Sequence, residues 1–386
     1  MRLVVTGGGT GGHIYPALAV AETLRDDPGV ESVTYIGKTG GLENDLVPQH
    51  GIDFLGIEFY GMPRGKSVLL PIHFVKWFAK LEQAKRKARQ YLSEIRPHVV
   101  FGTGGYVSAP VLMASYDLKI PFVVHEPDAK PGLVNQLMSR NAAVITTSFS
   151  EGANLLKRKP SQEVLVTGNP IRGSIGTLSR QESMKLLGLD WSDTQPILLV
   201  TGGSQGARRI NQAVVAALPI LLNEMGFAVV HLTGKKLYDE TLASLDETDL
   251  SLKTHPYYQI RPYSSEMAAL LGVADLALCR AGSLSLSEMY VCGVPTILVP
   301  YPYAAADHQR KNAQASVRSG ASILIEDADC DGARLIQEIA SLISDSGRLW
   351  AMKSAALSLG HPDATTRIVA CLKQVGSFIE KLTKDT

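Results

Sequence analysis

Short apolar runs alternate along the chain with longer segments whose apolar residues recur at helical spacing. Met1-Arg2-Leu3-Val4-Val5 reads as a buried strand, and Ile14 to Leu24 reads as a helix with one packed side. The same pattern predicts strands near 2–6, 32–36, 53–57, 98–101, 121–125, 143–147 and 163–166. It predicts further strands at Ile197 to Val200 and near 227–232, 253–260, 274–279, 295–299 and 321–325. From about Asp329 onward the pattern is helical, with no strand. Strands alternating with helices throughout predict an α/β fold with parallel sheets.

The alternation breaks at Gly168-Asn169-Pro170-Ile171-Arg172-Gly173. A polar, less regular stretch follows to about Gln195 and reads as an inter-domain connection. The opening motif then recurs: strand, threonine, glycine loop, helix. Its first copy is Thr6-Gly7-Gly8-Gly9-Thr10-Gly11-Gly12-His13, and its second is Thr201-Gly202-Gly203-Ser204-Gln205-Gly206-Ala207. The copies lie roughly half a chain apart, which suggests two similar α/β domains, each with a glycine-rich edge. A third glycine loop, Gly102-Thr103-Gly104-Gly105-Tyr106, follows a first-half strand and falls on the same edge as the first loop.

A glycine turn from strand into helix lets a ligand approach the backbone. It also aims free N–H groups and the positive helix end at that ligand. An anionic group is therefore the expected occupant. Gly7-x-Gly9-x-x-Gly12 fits the dinucleotide fingerprint, but the second strand runs out at Gly37-Lys38 without the ribose-binding acid. Gly7 and Gly12 also have P-loop spacing, yet His13 stands where that loop needs lysine. NAD and NTP chemistry are both disfavoured.

Composition narrows the classes further. The chain has 386 residues, enough for two or three domains with ample core. Lys+Arg is 38 and Asp+Glu 37, so bulk-charge binding of nucleic acid is not expected. Cys279, Cys292, Cys330 and Cys371 show neither metal spacing nor a disulfide framework, which fits a reducing cytoplasm. The first strand leaves no room for a signal peptide, and no apolar run approaches the ~20 residues of a membrane span. A soluble protein that touches a membrane is expected.

Several residues carry candidate chemistry. His13 stands at the first helix start, where the neutral imidazole is favoured and suits a general base for a hydroxyl. A histidine bonded to a loop carbonyl is the plainer alternative. Glu288, in Arg280-Ala281-Gly282-Ser283-Leu284-Ser285-Leu286-Ser287-Glu288, is placed to accept from a ribose diol, although Ser285-x-x-Glu288 is itself a capping box. Gln309 and Asn312 share a helix face and suit sugar hydroxyls, with surface polarity as the plainer reading. Asp327-Ala328-Asp329 matches D-x-D, but its position after the last strand reads as a solvated helix cap, and no metal is expected. From Lys66 to Arg89, Leu69, Leu70, Ile72, Phe74, Val75, Trp77, Phe78 and Leu81 interleave with Lys76 and Lys80, and Lys85, Arg86, Lys87 and Arg89 follow. That mixture suits docking on an anionic leaflet, and suits equally a core helix with a basic outer face.

Taken in order, these stretches resemble the MurG family nearly end to end. The resemblance rests on Gly8 to His13, Gly104-Gly105-Tyr106-Val107-Ser108, His125-Glu126, Gly168 to Arg172, Gly202 to Ala207, Ser283 to Glu288 and Gln309-x-x-Asn312-Ala313. It implies two Rossmann-like domains facing a cleft, the glycosyltransferase B-type fold. The implied domains are 1–170 for acceptor and membrane, and 171–362 for donor, with a last helix from about 363 returning to the first. It implies transfer of N-acetylglucosamine from UDP-N-acetylglucosamine to undecaprenyl-diphosphate-linked muramyl-pentapeptide, at the cytoplasmic face of the membrane and with no cofactor.

Family roles carry over to matching positions. Ser204 and Arg172 would meet donor phosphate, the backbone at Ser264 the uracil, and Ser283, Leu284, Ser285, Leu286 and Ser287 the nucleotide pocket. Glu288 would take the ribose, and Gln309 and Asn312 the sugar. Thr10, Gly11 and Gly12 would close on the donor, and Gly104 and Gly105 would hold the acceptor diphosphate. Asp128 departs from the asparagine of several members: it accepts from a sugar hydroxyl but cannot donate, and nearby Asn135 is a candidate to share that role. A related transferase with another lipid acceptor such as diacylglycerol, an NAD-dependent oxidoreductase and a non-catalytic nucleotide-sugar scaffold are the competing readings.

Overall fold

The computed structural model describes residues 1–62 and 70–384, the side chains at 70–72, 346 and 378–384 excepted. It divides into two compact units, Met1–Arg172 with Asp363–Thr386, and Gly173–Pro362.

The first unit contains β1 (Arg2–Thr6), α1 (Gly11–Arg25), β2 (Ser32–Lys38), α2 (Leu42–Gln49), β3 (Asp53–Ile57), α3 (Leu70–Ile95), β4 (Val99–Gly102), α4 (Ser108–Asp117), β5 (Phe122–Glu126), α5 (Leu133–Met138), β6 (Val144–Thr147), α6 (Ser150–Leu155) and β7 (Glu163–Val166). All its strands are parallel, in the order β3-β2-β1-β4-β5-β6-β7. Parallel strands covered on both faces read as near-continuous apolar runs, and the centre of β1 shows why. Leu3 and Val5 enter one core with Ile14, Leu18 and Leu24 of α1, while Val4 enters the other with Leu92 of α3 and Val111 of α4.

The second unit contains α7 (Arg180–Leu187), β8 (Ile197–Thr201), α8 (Arg208–Asn223), β9 (Ala228–Leu232), α9 (Tyr238–Thr248), β10 (Tyr258–Arg261), α10 (Met267–Val273), β11 (Leu276–Cys279), α11 (Ser283–Val291), β12 (Thr296–Leu298), α12 (His308–Arg318), β13 (Ser322–Leu324), α13 (Gly332–Ile343) and α14 (Ser346–Leu359). Its parallel order, β10-β9-β8-β11-β12-β13, repeats the pattern of the first sheet.

The last helix, α15 (Ala364–Lys384), packs on α1 of the first unit. Ile368 and Leu372 are fully buried there, worth ~1.5–3 kcal/mol each. Lys373 pairs with Asp27. Thr365 Oγ1 donates to the Ile171 carbonyl at 3.5 Å, and Ile171 and Arg172 go with this unit.

Three local expectations are corrected. The stretch from 173 to 195 is not merely a connection. It holds α7, opened by a capping box between Ser179 and Glu182 and closed by left-handed Gly188. Arg180 of α7 donates to the Val273 carbonyl at 2.7 Å, which fastens it to the second unit. The strand near 253–260 is shorter: Leu250–Thr254 is a 3-10 turn capped by Asp249, and β10 begins only at Tyr258, beyond Pro256. Asp327 and Asp329 do not cap a helix. They form a 3-10 turn, and Asp331 caps α13.

Candidate active site

In an open sheet of this order, ligands bind beyond the carboxyl ends of the strands where the order reverses. In the first unit that point lies between β1 and β4, and the glycine loops follow these two strands. Thr103 ties the loops together. Its N–H donates to the Thr6 carbonyl at 3.0 Å, and its hydroxyl donates to the His13 carbonyl at 2.7 Å. Gly7 has no room for a side chain, since a Cβ there would stand 2.0 Å from Thr103 Oγ1.

His13 is the third residue of α1. Its Nδ1 lies 3.0 Å from the Thr103 carbonyl oxygen. A carbonyl only accepts, so the partner assigns the hydrogen of the neutral ring to Nδ1 and leaves the lone pair on Nε2. The loop-carbonyl bond uses Nδ1 alone and is compatible with a base at Nε2. Thr10 is exposed at the N-cap and its side chain makes no cap bond; Gly11 and Gly12 are half-buried behind it.

Gly104 and Gly105 both have positive φ. A Cβ on Gly104 would lie 3.2 Å from both His13 Nδ1 and Asn135 Nδ2, so these three meet. Asn135 is buried and donates to the His125 carbonyl at 2.9 Å and to Glu126 Oε2 at 2.8 Å, while its Oδ1 has no partner among the described residues. Glu126 also accepts from the N–H groups of Asp128 at 2.9 Å and Gly132 at 3.0 Å. Burial, and then the Asp128 charge, push its carboxyl well above the usual range. His125 is buried between Thr146 Oγ1 and Asn169 Oδ1, and burial pulls it down to about 4. Asp128 is half-buried.

In the second unit the order reverses between β8 and β11. After β8, Gly203 and Gly206 have positive φ, and Ser204 is exposed in the loop that leads into α8. A Cβ on Gly206 would come within 2.1 Å of the Thr233 carbonyl. Asn211 holds that carbonyl at 3.0 Å and also reaches buried His231 at 3.1 Å.

After β11, α11 starts at Ser283 with Gly282 as N-cap, so the Ser285–Glu288 capping box does not form. Ser285 and Glu288 lie inside the helix, and Glu288 is only 5% exposed. The Leu286 side chain is fully buried, and its N–H donates to the Gly282 carbonyl at 3.0 Å. Ser283 is buried, Leu284 and Ser287 are half-buried, and Ser287 Oγ donates to the Ser283 carbonyl at 2.9 Å. Ser264 follows β10 and accepts from Glu266 N–H at 3.1 Å.

Gln309 and Asn312 share α12 but face different tasks. Gln309 is half-buried, and its Oε1 accepts from Tyr301 N–H at 2.9 Å. Asn312 is fully buried and donates to the Ala281 carbonyl at 3.2 Å, which braces the loop ahead of Ser283 from behind. Arg172, half-buried, ends the first unit.

The sequence pattern misses a clamp here. Arg280 donates to the carbonyls of Val299 at 3.0 Å and Pro300 at 3.2 Å, and meets Asp327 Oδ1 at 2.5 Å. Asp327 is therefore an ion-pair partner, not a solvated cap. The residues are 47 apart in sequence, and D-x-D spacing carries no sign of the pairing. Among the described residues, no group of three or more His, Cys, Asp or Glu is arranged to hold a metal ion.

On α3, Val75 and Phe78 are exposed, while the Trp77 ring lies tilted 5.5 Å from that of Phe59 and its Nε1 donates to the Tyr60 carbonyl at 3.0 Å. Lys66 and Leu69 lie outside the described residues, as do the side chains of Leu70 and Ile72. No helix among the described residues is long and apolar enough to cross a membrane.

Residues 3–147 match the glycosyltransferase family 28 N-terminal domain, and residues 197–368 its C-terminal domain. A curated UDP-N-acetylglucosamine–N-acetylmuramyl-(pentapeptide) pyrophosphoryl-undecaprenol N-acetylglucosamine transferase of Halothermothrix orenii is 42% identical over 96% of this chain and 97% of its own. One of the same name from Desulfitobacterium hafniense is 39% identical over 96% and 99%. The crystal structure of Acinetobacter baumannii MurG superposes with a TM-score of 0.75 at 27% identity, covering 97% of this chain and 99% of that one. The chain is thus a glycosyltransferase of family 28 and belongs to the MurG family.

Proposed function

We propose that this enzyme transfers N-acetylglucosamine from UDP-N-acetylglucosamine to the muramyl 4-hydroxyl of undecaprenyl-diphosphate-linked N-acetylmuramyl-pentapeptide, in peptidoglycan synthesis. The observation that carries this reading is the near full-length match to transferases of that name. The geometry supports it with a glycine-rich order reversal in each unit.

The acceptor oxygen forms a bond to the anomeric carbon as that carbon's bond to the diphosphate oxygen breaks. The electron pair leaves with UDP, and the hydroxyl proton goes to Nε2 of His13. One displacement turns the α-linked donor into a β-linked product. His13 is the base because its Nδ1 is occupied by the Thr103 carbonyl. Backbone N–H groups of the 202–207 loop and the N-terminus of α11 stabilise charge growing on the leaving diphosphate. Ser204 and Arg172 contribute to that phosphate site, Glu288 accepts from the ribose, and the 264 backbone meets uracil. Gln309 offers its amide N–H to the sugar, while Asn312 acts from behind as a positioning residue. Thr10, Gly11 and Gly12 serve the donor, Gly104 and Gly105 hold the acceptor diphosphate, and Asp128 with Asn135 accepts from a sugar hydroxyl.

The enzyme works on the cytoplasmic membrane face as a peripheral protein. Val75 and Phe78 insert beside Lys76 and Lys80, and nucleic acid is no partner.

The test is incubation with labelled UDP-N-acetylglucosamine and the lipid-linked muramyl-pentapeptide in EDTA. A labelled disaccharide lipid is expected. Transfer only to diacylglycerol, or transfer that needs an added divalent ion, overturns the reading.

A further inference from the structure

The second strand ends at Lys38 without an acid, but an acid returns to the same place. Glu43, at the start of α2, is fully buried beside the first glycine loop. Its Oε1 accepts from the Lys38 N–H at 3.1 Å, while Oε2 has no partner among the described residues. A buried polar atom left unpaired costs ~1–3 kcal/mol, so its retention calls for a compensating role.

Three glycines make room for this side chain. A Cβ on Gly8 would stand 2.2 Å from Oε1, one on Gly37 2.7 Å from Cγ, and one on Gly41 2.8 Å from Oε2. Gly8 is hemmed from the second loop as well, since a Cβ on Gly105 would lie 2.1 Å from the Gly8 carbonyl oxygen. Gly8 is therefore in contact with Glu43 and with Gly105. Next to Gly105 stands Gly104, which borders His13 and Asn135.

We propose that Glu43 is a positioning residue for the acceptor side, a backstop that sets the spacing of the two glycine loops of the first unit. It touches no substrate. In a dinucleotide-binding sheet an acid near this point faces the ligand and takes the ribose diol. Here it is sealed under the loop, so it acts on the ligand only through Gly8. The inference rests on the reading of the first unit as the acceptor-binding half.

Three variants test it. Glu43→Gln keeps the length and the acceptor for Lys38 N–H, and should stay within about threefold of wild type in every constant. Glu43→Asp withdraws the carboxylate by one methylene, and Glu43→Ala removes it. Both should raise the acceptor KM about tenfold or more and the donor KM by clearly less, through Thr10 to Gly12 of the same loop, whereas simple loss of folded enzyme lowers kcat and moves neither KM. Amide hydrogen exchange on Glu43→Asp gives a reading independent of turnover. Residues 7–12 and 103–107 should exchange faster together, with 202–207 unchanged. An unchanged acceptor KM, an equal rise in donor KM, or unaltered exchange in either loop overturns the inference. Absence of transfer by wild type to the muramyl lipid overturns the acceptor reading instead, and the exchange result still decides the role of Glu43.

Discussion

The Thr103 carbonyl oxygen accepts from His13 Nδ1 at 3.0 Å, while the Thr103 hydroxyl donates to the His13 carbonyl at 2.7 Å. The two residues belong to different glycine loops, and this paired contact sets the orientation of the imidazole. His13→Asn places an amide N–H where Nδ1 stood but offers nothing in place of Nε2. Its kcat should fall at least about a hundredfold, with donor KM within about threefold. Steady-state kinetics against both substrates checks this, and near-normal kcat removes His13 as the base.

Glu288 lies in the second turn of α11, almost covered. If it accepts from a ribose diol, Glu288→Gln keeps its size and loses a charge-assisted acceptor. UDP affinity measured by calorimetry should drop about tenfold or more. Unchanged affinity in a variant of normal melting temperature would rule out the ribose contact.

The Arg280–Asp327 pair is mostly buried, with side-chain exposures of 14% and 25%. Removing one partner strands the other charge. Asp327→Ala should therefore cost about 2 kcal/mol or more of unfolding free energy, below the fully buried range because water still reaches the pair. It should also raise the donor KM, since Arg280 anchors the turn that leads to Ser283. Urea titration and kinetics together check it; an unaltered urea midpoint counts against the clamp.

Two buried histidines make stability sensitive to acid. Burial pulls His231 down to about 3 and His125 to about 4, against an ordinary 6.5. Below pH 6.5 the unfolded chain takes up protons at these rings and the native chain does not. Stability therefore falls as pH drops from 6.5 toward 4, by ~1.4 kcal/mol per unit of displacement. Glu126 acts in the opposite sense, because its raised carboxyl loses its proton as pH climbs. His231→Gln should flatten the acid limb of the urea midpoint against pH by one proton's share. An unchanged slope would show that His231 is protonated in the native state.

Val75 and Phe78 stand 70% and 59% exposed on α3. The double change Val75→Ser with Phe78→Ser should weaken binding to phosphatidylglycerol-rich vesicles about fivefold or more, with soluble-substrate binding intact. Trp77→Phe should matter less for vesicles, because Trp77 faces Phe59 and the Tyr60 carbonyl. Equal vesicle binding by wild type and the double variant excludes this face as the membrane contact.

Much of the fold is legible along the chain. Strands such as Leu3-Val4-Val5 and Ile197 to Val200 are covered on both faces, so each is an unbroken apolar run. The glycine loops announce themselves because Gly7, Gly105 and Gly206 have backbone or side-chain atoms where a Cβ would go. What misleads is local chemistry that tertiary packing overrides. Ser285-x-x-Glu288 has the form of a cap, yet Ser283 already begins the helix. Asn312 sits on the face of Gln309 in sequence spacing, but lies under the Ala281 turn.

The amino-acid order alone determined the alternation of strand and helix, the places where only glycine fits, and the family, because these depend on neighbours a few residues apart. Which distant side chains meet was decided only by the folded sheets. Crossover connections place β4 beside β1 and β11 beside β8, bringing Thr103 to His13; packing beyond β13 brings Asp327 to Arg280, and the turn after β2 folds Glu43 under Gly8. No periodicity records such meetings, since they arise from the three-dimensional order of strands and the depth at which each charge is buried.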